Sequence, residues 1–231
     1  MTSKQLDPKT KAEAYKETLR NALKADLYLL CHYLGYDQVT WSTHGEIITC
    51  LESDSKRKIL VVPRDCFKST IGVICYSIWL IIRNPNVTIM IDSELFTNSS
   101  TFLREIKGHL ESDKMTALFG KFKSSTWNDS ELIVNQRTKH SRNPTINCGG
   151  IGTVKVGMHP DVIIADDYNS QNNSNTKEKC EKIITHFRYN LSILSTQGTY
   201  VLIGTRYSEN DLIGWVLREL VKDKDLSEGK I

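Results

Sequence analysis

An eight-residue segment that contains a lysine and two hydroxyl groups has the composition of a phosphate-binding turn. It follows a short β-branched run, residues 59–62, and precedes an apolar stretch, residues 69–82, so we expect a buried parallel strand before it and a buried helix after it. A strand that turns directly into a helix aims the helix's unpaired N–H groups at the turn, which creates an anion site there. The segment consists of Pro63, Arg64, Asp65, Cys66, Phe67, Lys68, Ser69 and Thr70.

The roles within such a turn follow from its chemistry. In P-loop enzymes a lysine reaches the β- and γ-phosphates of the nucleotide and the next hydroxyl holds Mg²⁺, which fits Lys68 and Ser69. Thr70 lies one position too late for the metal and is expected to bond a phosphate or the backbone. The usual pattern is Gly-x-x-x-x-Gly-Lys-Ser/Thr, but Val62 and Phe67 occupy both glycine positions. Taken alone, the segment therefore also fits an ordinary helix start.

A pair of carboxylates is the second chemical signal. Asp166 and Asp167 follow the apolar residues 162–165, about 100 positions after the lysine. A strand that ends in acidic residues places them at the carboxyl edge of a sheet, where ligands bind in open α/β folds. We expect Asp166 to hold Mg²⁺ through water and Asp167 to orient and activate the attacking water. On its own the pair also fits a turn or a helix cap.

The third segment is another apolar strand that ends in Gly204, Thr205 and Arg206. The hydroxyl of Thr205 is predicted to sense a γ-phosphate. Arg206 is predicted to contact phosphate, or else to pair with Asp211 or Asp167.

In this order and spacing, the three segments resemble the ATPase domain of the large terminase subunit, the DNA-packaging motor of tailed bacteriophages. The resemblance rests on Pro-Arg-x-x-Phe-Lys-Ser-Thr, the Asp-Asp pair and Gly-Thr-Arg-Tyr followed by Asp-Leu, and it covers about residues 27–220. It implies an α/β P-loop NTPase of the additional-strand, RecA-like type. Such a fold has a mostly parallel central sheet flanked by helices, here with a small helical N-terminal subdomain.

The resemblance also implies a function and roles for residues. ATP would be hydrolysed with Mg²⁺ to move double-stranded DNA into a procapsid, and the segment at 204–206 would couple hydrolysis to movement. Asp167, Lys68 and Arg64 would be catalytic, with the two cations offsetting the charge that develops on the γ-phosphate. The segment before the first strand contacts adenine in this family. Trp41 and His44 are the candidates for that contact, although a packed tryptophan and a surface histidine explain them equally well.

The implied partners are double-stranded DNA, a portal protein, a small terminase subunit and further copies of the chain in a ring on the capsid. The isolated chain is expected to be monomeric, and its location would be the cytoplasm of the host cell. A cationic residue from a neighbouring subunit would stabilise the transferring phosphoryl group. The candidates are Arg137, Arg142 and Lys155, each of which is also explained as a solvated side chain.

Composition sets limits on the remaining possibilities. A chain of 231 residues with 39% apolar content can build one sizeable core, and a formal charge of +3 is too small to diagnose nucleic-acid binding. The six cysteines form no Cys-x-x-Cys pair, which favours a reducing compartment. The longest apolar run, residues 71–82, is too short and too interrupted to span a bilayer, so no membrane association is expected.

The domain organisation expected from these patterns has three parts. Residues 1–55 would form a helical segment or lid, with one amphipathic helix over 12–34 ended by Gly35 and residues 1–11 loosely attached. Residues 56–220 would form the ATPase core, in which 121–155 is an antiparallel hairpin insertion and 176–194 is a helix covering one sheet face. Residues 221–231 would be a polar tail that begins a missing linker or nuclease region, so no nuclease activity is expected.

Two other functions remain open at this stage. One is a helicase-like ATPase that nucleic acid stimulates. The other is a DNA-binding or scaffold module that does not hydrolyse nucleotide because its phosphate loop is degenerate; the phenylalanine in the glycine position favours it, whereas the retained lysine, serine and carboxylates count against it.

Overall fold

The computed structural model describes residues 7–153 and 157–219, in which three helices precede a mixture of strands and helices. The helices are α1 (Pro8–Ala25), α2 (Leu27–Leu34), α3 (Trp41–Glu52), α4 (Tyr76–Arg83), α5 (Phe96–Glu111), α6 (Asp113–Phe119), α7 (Lys177–Ile193) and α8 (Leu212–Glu219). The strands are β1 (Arg57–Val61), β2 (Ile89–Ser93), β3 (Lys123–Trp127), β4 (Glu131–Val134), β5 (Ile146–Gly150), β6 (Val162–Asp166) and β7 (Thr199–Gly204). A π-helical segment, Thr70–Cys75, leads directly into α4.

The N-terminal helix predicted over residues 12–34 is wrong as a single element, because the structure divides it into α1 and α2 at Asp26. The Asp26 carboxylate accepts a hydrogen bond from the Leu29 N–H at 2.8 Å and so caps the second helix. A short acidic side chain that satisfies a free backbone N–H favours a helix start at this point. Gly35 ends α2 as predicted, in the left-handed conformation at φ 103°.

The central sheet is mostly parallel and is flanked by helices, which confirms that part of the expected fold. In the described part of the chain its seven strands lie in the order β1-β7-β6-β2-β5-β4-β3. The first five strands in this order run parallel to one another, and β4 and β3 are antiparallel additions at one edge. The carboxyl ends of the parallel strands therefore meet along one edge.

The expected hairpin insertion over 121–155 needs correction. Strands β4 and β5 are antiparallel neighbours as predicted, but β5 also pairs in parallel with β2. The region therefore extends the central sheet. Strand β3 was not predicted, since its sequence, Lys-Ser-Ser-Thr-Trp, lacks the apolar alternation that marks a half-buried strand.

The two faces of the sheet are covered by different helices, because successive strand residues point to opposite sides. One side, here called the α4 face, carries Ile164 and Ile203 and packs against α1, α2, α3, the π-helical segment, α4 and α5. The other side, the α7 face, carries Ile163 and Leu202 and packs against α7 and α8. Helix α7 thus covers one face, as expected for residues 176–194.

Among the described residues, no helix combines the length and the apolar character that crossing a bilayer requires. The predictions for residues 1–6 and for the tail 221–231 lie outside the described residues.

Candidate functional site

The turn between β1 and the π-helical segment adopts an unusual backbone. Asp65 and Phe67 have φ angles of 61° and 51°, in the left-handed region that glycine adopts readily and other residues rarely do. Phe67 stands where the usual phosphate-loop pattern has glycine. The turn therefore has a glycine-like backbone at this position without glycine, at a conformational cost of about 1 kcal/mol or more per residue.

Packing beneath the turn offsets part of this cost. The half-buried Phe67 ring packs against the core of the α4 face and meets the His44 ring edge-on, with centroids 5.8 Å apart. His44 is only 5% exposed, and its Nδ1 lies 3.0 Å from the Thr40 N. His44 is therefore a buried residue that supports the loop, which corrects the interpretation of it as a surface histidine.

Trp41 occupies a different place from the other candidate adenine contact. Its side chain is 55% exposed and packs edge-on against Tyr28. It lines a separate cavity of about 790 Å³ between α3 and β1, together with Arg57 and Lys58. The structure thus brings His44 to the phosphate-loop candidate but places Trp41 away from it.

The lysine and serine of the turn meet the acidic pair at the end of β6. The Lys68 side chain is buried, and its Nζ lies 3.5 Å from the Asp167 Oδ2. The Ser69 hydroxyl donates to the Asp166 carboxylate, at 2.9 Å from Oδ1 and 3.1 Å from Oδ2. Two segments almost 100 residues apart in sequence therefore form one cluster, which contains an ammonium group, a hydroxyl group and two carboxylates.

Asp166 lies in an environment that opposes its ionisation. The pKa of Asp166 is raised to about 7, because burial and the neighbouring Asp167 charge raise it by more than the Ser69 hydrogen bond and the Lys68 charge lower it. Within the described residues, Ser69 is the one group that donates a hydrogen bond to this carboxylate. A buried carboxylate with a single donor is well suited to bind a cation.

Asp167 has a strained backbone and an unpaired oxygen. Its φ is 42°, its N–H donates to the Ile203 carbonyl at 3.0 Å, and its Oδ1 has no hydrogen-bond partner among the described residues. In that part of the chain, three residues other than glycine have a positive φ: Asp65, Phe67 and Asp167. All three line one cavity of about 290 Å³ with Arg64, Cys66, Lys68, Ser69 and Thr70. Backbone strain of this kind concentrates at functional sites.

The strand-end segment at 204–206 is bonded to the start of the turn. The Val62 N–H donates to the Gly204 carbonyl at 3.1 Å, and the Thr205 hydroxyl donates to the Val62 carbonyl at 3.0 Å. Thr205 therefore links the end of β7 to the end of β1, so a shift of the turn would reach it directly.

Arg206 pairs with neither of the aspartates suggested for it within the described residues; its Nε lies 3.5 Å from the Ser208 carbonyl. Asp211 is fully buried and accepts hydrogen bonds from the backbone N–H groups of Tyr207, Ser208 and Gly214. These backbone N–H groups, and not the Arg206 guanidinium, satisfy the Asp211 carboxylate. The alternative in which Arg206 pairs with Asp211 or Asp167 is therefore wrong for the described residues, and its contact with phosphate stays a prediction.

Tyr207 is a site residue to which the sequence analysis gave no role. The Arg64 guanidinium donates a hydrogen bond to the Tyr207 hydroxyl and lies 5.6 Å from the centre of its ring. The signal in the sequence was weak, since a tyrosine after Gly-Thr-Arg has no set chemical role. The contact holds Arg64 at the rim of the cavity.

The candidates for a residue that acts on a neighbouring subunit lie elsewhere. Arg137 and Arg142 belong to the loop before β5, at the amino edge of the sheet and opposite the cavity. Arg137 donates to the carbonyls of Lys139 and Asn143, so its own loop binds it. Lys155 lies outside the described residues.

The residues present fit a magnesium ion that is shared with a substrate. Among the described residues, no group of three or more His, Cys, Asp and Glu side chains is placed to hold a metal alone. Mg²⁺ in phosphate sites is held by one or two carboxylates, by waters and by the substrate phosphates. Asp166 and Ser69 would supply the protein ligands of such a set, since the hydroxyl lies 2.9 Å from the carboxylate.

Comparison of the sequence with models of known protein families gives no match, and comparison with curated proteins gives no significant match either. The function is therefore inferred from the residues and their arrangement in this chain.

Proposed function

We propose that this chain is the ATPase domain of a viral terminase large subunit, which hydrolyses ATP with Mg²⁺ to translocate double-stranded DNA into a procapsid. The observation that carries the proposal is the convergence of Lys68 and Ser69 with Asp167 and Asp166 at the carboxyl edge of a parallel sheet. These four side chains are the set that binds and hydrolyses nucleotide in P-loop ATPases.

The strand order supports the additional-strand, RecA-like type of P-loop fold. Strand β7 lies between β1, which precedes the turn, and β6, which ends in the acidic pair. One strand is thus inserted between the phosphate-loop strand and the acidic strand, and the class takes its name from this arrangement. The inserted strand ends in the segment proposed to couple hydrolysis to movement, so that segment lies between the two halves of the site.

The chemistry assigns each side chain a task. The Nζ of the buried Lys68 lies 3.5 Å from the Asp167 Oδ2. Phosphate oxygens would compete for Lys68 and release Asp167 to accept a hydrogen bond from the attacking water. Arg64, at the cavity rim, would exchange its Tyr207 contact for the γ-phosphate. Mg²⁺, held by Ser69 and Asp166, would offset the charge that develops on the phosphoryl oxygens.

The partners follow from the proposed function. Double-stranded DNA would be contacted through its phosphates, so binding would not depend on sequence and would weaken with salt. A portal protein, a small terminase subunit and other copies of the chain would complete the motor. Because a neighbouring subunit would supply a cation to the site, the isolated chain is expected to hydrolyse ATP slowly.

The test is ATP hydrolysis and direct nucleotide binding over a range of protein concentrations, for the wild type, Lys68→Ala and Asp167→Asn. Lys123→Ala is the matched control, since Lys123 also pairs with a carboxylate, Glu111 at 2.7 Å, but lies away from the cavity. We expect both site substitutions to lower hydrolysis by about a hundredfold or more. Asp167→Asn should still bind ATP, and Lys123→Ala should behave as the wild type.

A non-hydrolysing DNA-binding or scaffold module is the alternative function, and Phe67 in a glycine position favours it. The left-handed backbone at Phe67 weakens this alternative, because the turn has the conformation that glycine would give it. A wild-type protein that neither binds nor hydrolyses ATP at any concentration would establish the alternative. Hydrolysis that nucleic acid stimulates in the absence of any packaging partner would point instead to a helicase-like ATPase.

A further inference from the structure

A buried polar cluster lies on the α7 face, behind the acidic pair. It consists of Asp92 on β2, Tyr168 after β6, and His186 and Asn190 on α7, and is here called the anchor cluster. All four side chains are buried. None of them lines the candidate site, and the sequence pattern predicted no role for any of them.

One oxygen of Asp92 collects three hydrogen bonds. Its Oδ2 accepts from the Tyr168 hydroxyl, from the His186 Nε2 at 2.7 Å and from the Asn190 Nδ2 at 2.6 Å. The same Asn190 amide lies 2.7 Å from the Tyr168 oxygen, so its two hydrogens serve both neighbours. Tyr168, which directly follows Asp167, is therefore hydrogen-bonded to both β2 and α7.

The protonation states in the cluster follow from its contacts. The Gly152 N–H donates to the His186 Nδ1 at 3.4 Å, so the proton of a neutral imidazole is on Nε2 and points at Asp92. Burial raises the pKa of Tyr168, and the neighbouring Tyr200 and Asp92 raise it further, so the phenol keeps its proton. Three donors therefore surround one carboxylate oxygen.

A second anchor, Glu94, lies directly after the end of β2. The Glu94 Oε1 accepts from the Ser170 hydroxyl and from the Asn173 Nδ2, both at 2.9 Å. The Asn173 amide also donates to the Tyr168 carbonyl at 2.7 Å. Two carboxylates at the carboxyl end of β2 thus bind the segment 168–173, which follows the acidic pair.

The anchors bear on the geometry of Asp167. On one side its N–H is bonded to the Ile203 carbonyl of β7, and on the other side the anchors fix Tyr168. A left-handed backbone at a residue other than glycine persists only where its surroundings hold it in place. Without the anchors, the peptide after Asp167 would relax and its carboxylate would leave Lys68.

We propose that Asp92 and Glu94 are positioning residues that hold Asp167 in register with Lys68 by binding the segment that follows it. This inference rests on the proposed function, because register matters only if Asp167 orients a reacting water. Asp92 and Glu94 touch neither the substrate nor the metal; they act through Tyr168, Ser170 and Asn173.

The test compares Tyr168→Phe, Glu94→Ala and Glu94→Gln with the wild type. Tyr189→Phe is the matched control, since it removes a hydroxyl from α7 that has no hydrogen-bond partner among the described residues. The measurements are kcat and KM for ATP, the Kd for a nucleotide analogue, and amide hydrogen exchange of the peptide covering 167–173. Thermal unfolding of each variant shows that it is folded.

We expect Tyr168→Phe and Glu94→Ala to lower kcat about tenfold with nucleotide Kd unchanged, and to speed exchange in 167–173 by a similar factor. Glu94→Gln should recover most of the kcat, since its amide oxygen still accepts from Ser170 and Asn173. Tyr189→Phe should change neither quantity.

Two negative results can be told apart. If the wild type hydrolyses ATP and the variants match it in kcat, or if only their melting temperature falls, the positioning role is wrong and the proposed function stands. If the wild type binds no nucleotide, the proposed function is wrong and the positioning role with it, whatever the exchange rates.

Discussion

Asp166 and Asp92 are both buried carboxylates at the ends of neighbouring parallel strands, yet their surroundings differ. In the register of β6 and β2, Asp166 lies beside Ser93 and Asp92 lies beside Ala165, so the two differ by one position and face opposite sides of the sheet. On the α4 face, Asp166 has one hydroxyl donor and adjoins the cavity lined by its neighbour Asp167. On the α7 face, Asp92 has three donors and is fully buried.

The difference separates two uses of a buried acid. The Asp92 Oδ2 accepts from three fixed protein donors, although the Oδ1 has no hydrogen-bond partner among the described residues. A carboxylate held in this way is part of the packing, and removing it leaves those donors without partners. A carboxylate with one donor beside a cavity is incompletely solvated and gains most when a cation arrives. The same residue type therefore serves structure on one face of the sheet and, as we propose, metal binding on the other.

The largest expected effect is on stability at Asp92. Asp92→Ala would leave the Tyr168 hydroxyl, the His186 Nε2–H and an Asn190 N–H without their shared acceptor, so we expect a loss of about 3 to 5 kcal/mol in the free energy of unfolding. Urea denaturation followed by circular dichroism measures this loss. A loss below about 1 kcal/mol would contradict the structural role assigned to Asp92, because the donors would then have found other partners.

In contrast to Asp92→Ala, Asp166→Asn should increase the free energy of unfolding, and only at higher pH. The folded-state pKa of Asp166, about 7, lies above the value of 3.8 that is usual for an exposed aspartate, so the native state keeps a proton that the unfolded chain releases as the pH rises. The wild type therefore loses stability between about pH 4 and pH 7, and the penalty is complete above pH 7.

Asparagine carries no such penalty. We expect Asp166→Asn to be more stable than the wild type by about 2 to 4 kcal/mol at pH 8 and nearly equal to it at pH 4, while ATP hydrolysis is lost. Thermal unfolding at the two pH values measures the difference. An equal change in stability at both pH values would contradict the assignment of a raised pKa to this carboxyl.

The smallest effect is expected at Ser69. Ser69→Ala removes the hydrogen bond that Asp166 receives from this side chain, so the variant should be less stable by about 1 kcal/mol at pH 8 and by less at pH 4, where the carboxyl is protonated. Denaturant titration at both pH values resolves this difference.

Because Mg²⁺ would need the same hydroxyl, the stabilisation that Mg²⁺-nucleotide gives the wild type should also be smaller in Ser69→Ala. Equal stabilisation of both proteins by Mg²⁺-nucleotide would exclude Ser69 as a metal ligand.

Much of the fold could be predicted from local patterns. The apolar β-branched runs before Lys68 and at 162–165 gave the strands that carry the turn and the acidic pair, and strand-helix-strand order gave a parallel sheet. The errors lie where local patterns compete with specific contacts. The capping side chain of Asp26 divides a helix that apolar spacing alone makes continuous, and the parallel pairing of β5 with β2 depends on residues more than 50 positions apart.

The sequence by itself determined which chemical groups stand at the carboxyl ends of β1, β6 and β7, because apolar runs mark the strands and the polar residues follow them directly. Only the tertiary structure decided what surrounds each group. The left-handed backbone at Phe67 follows from no local pattern in the sequence. The support from His44, the contact of Arg64 with Tyr207 and the three donors on Asp92 each join residues that are distant in sequence. Burial and hydrogen bonding are properties of the packed chain, so a carboxylate's role depends on the side chains that folding brings to it.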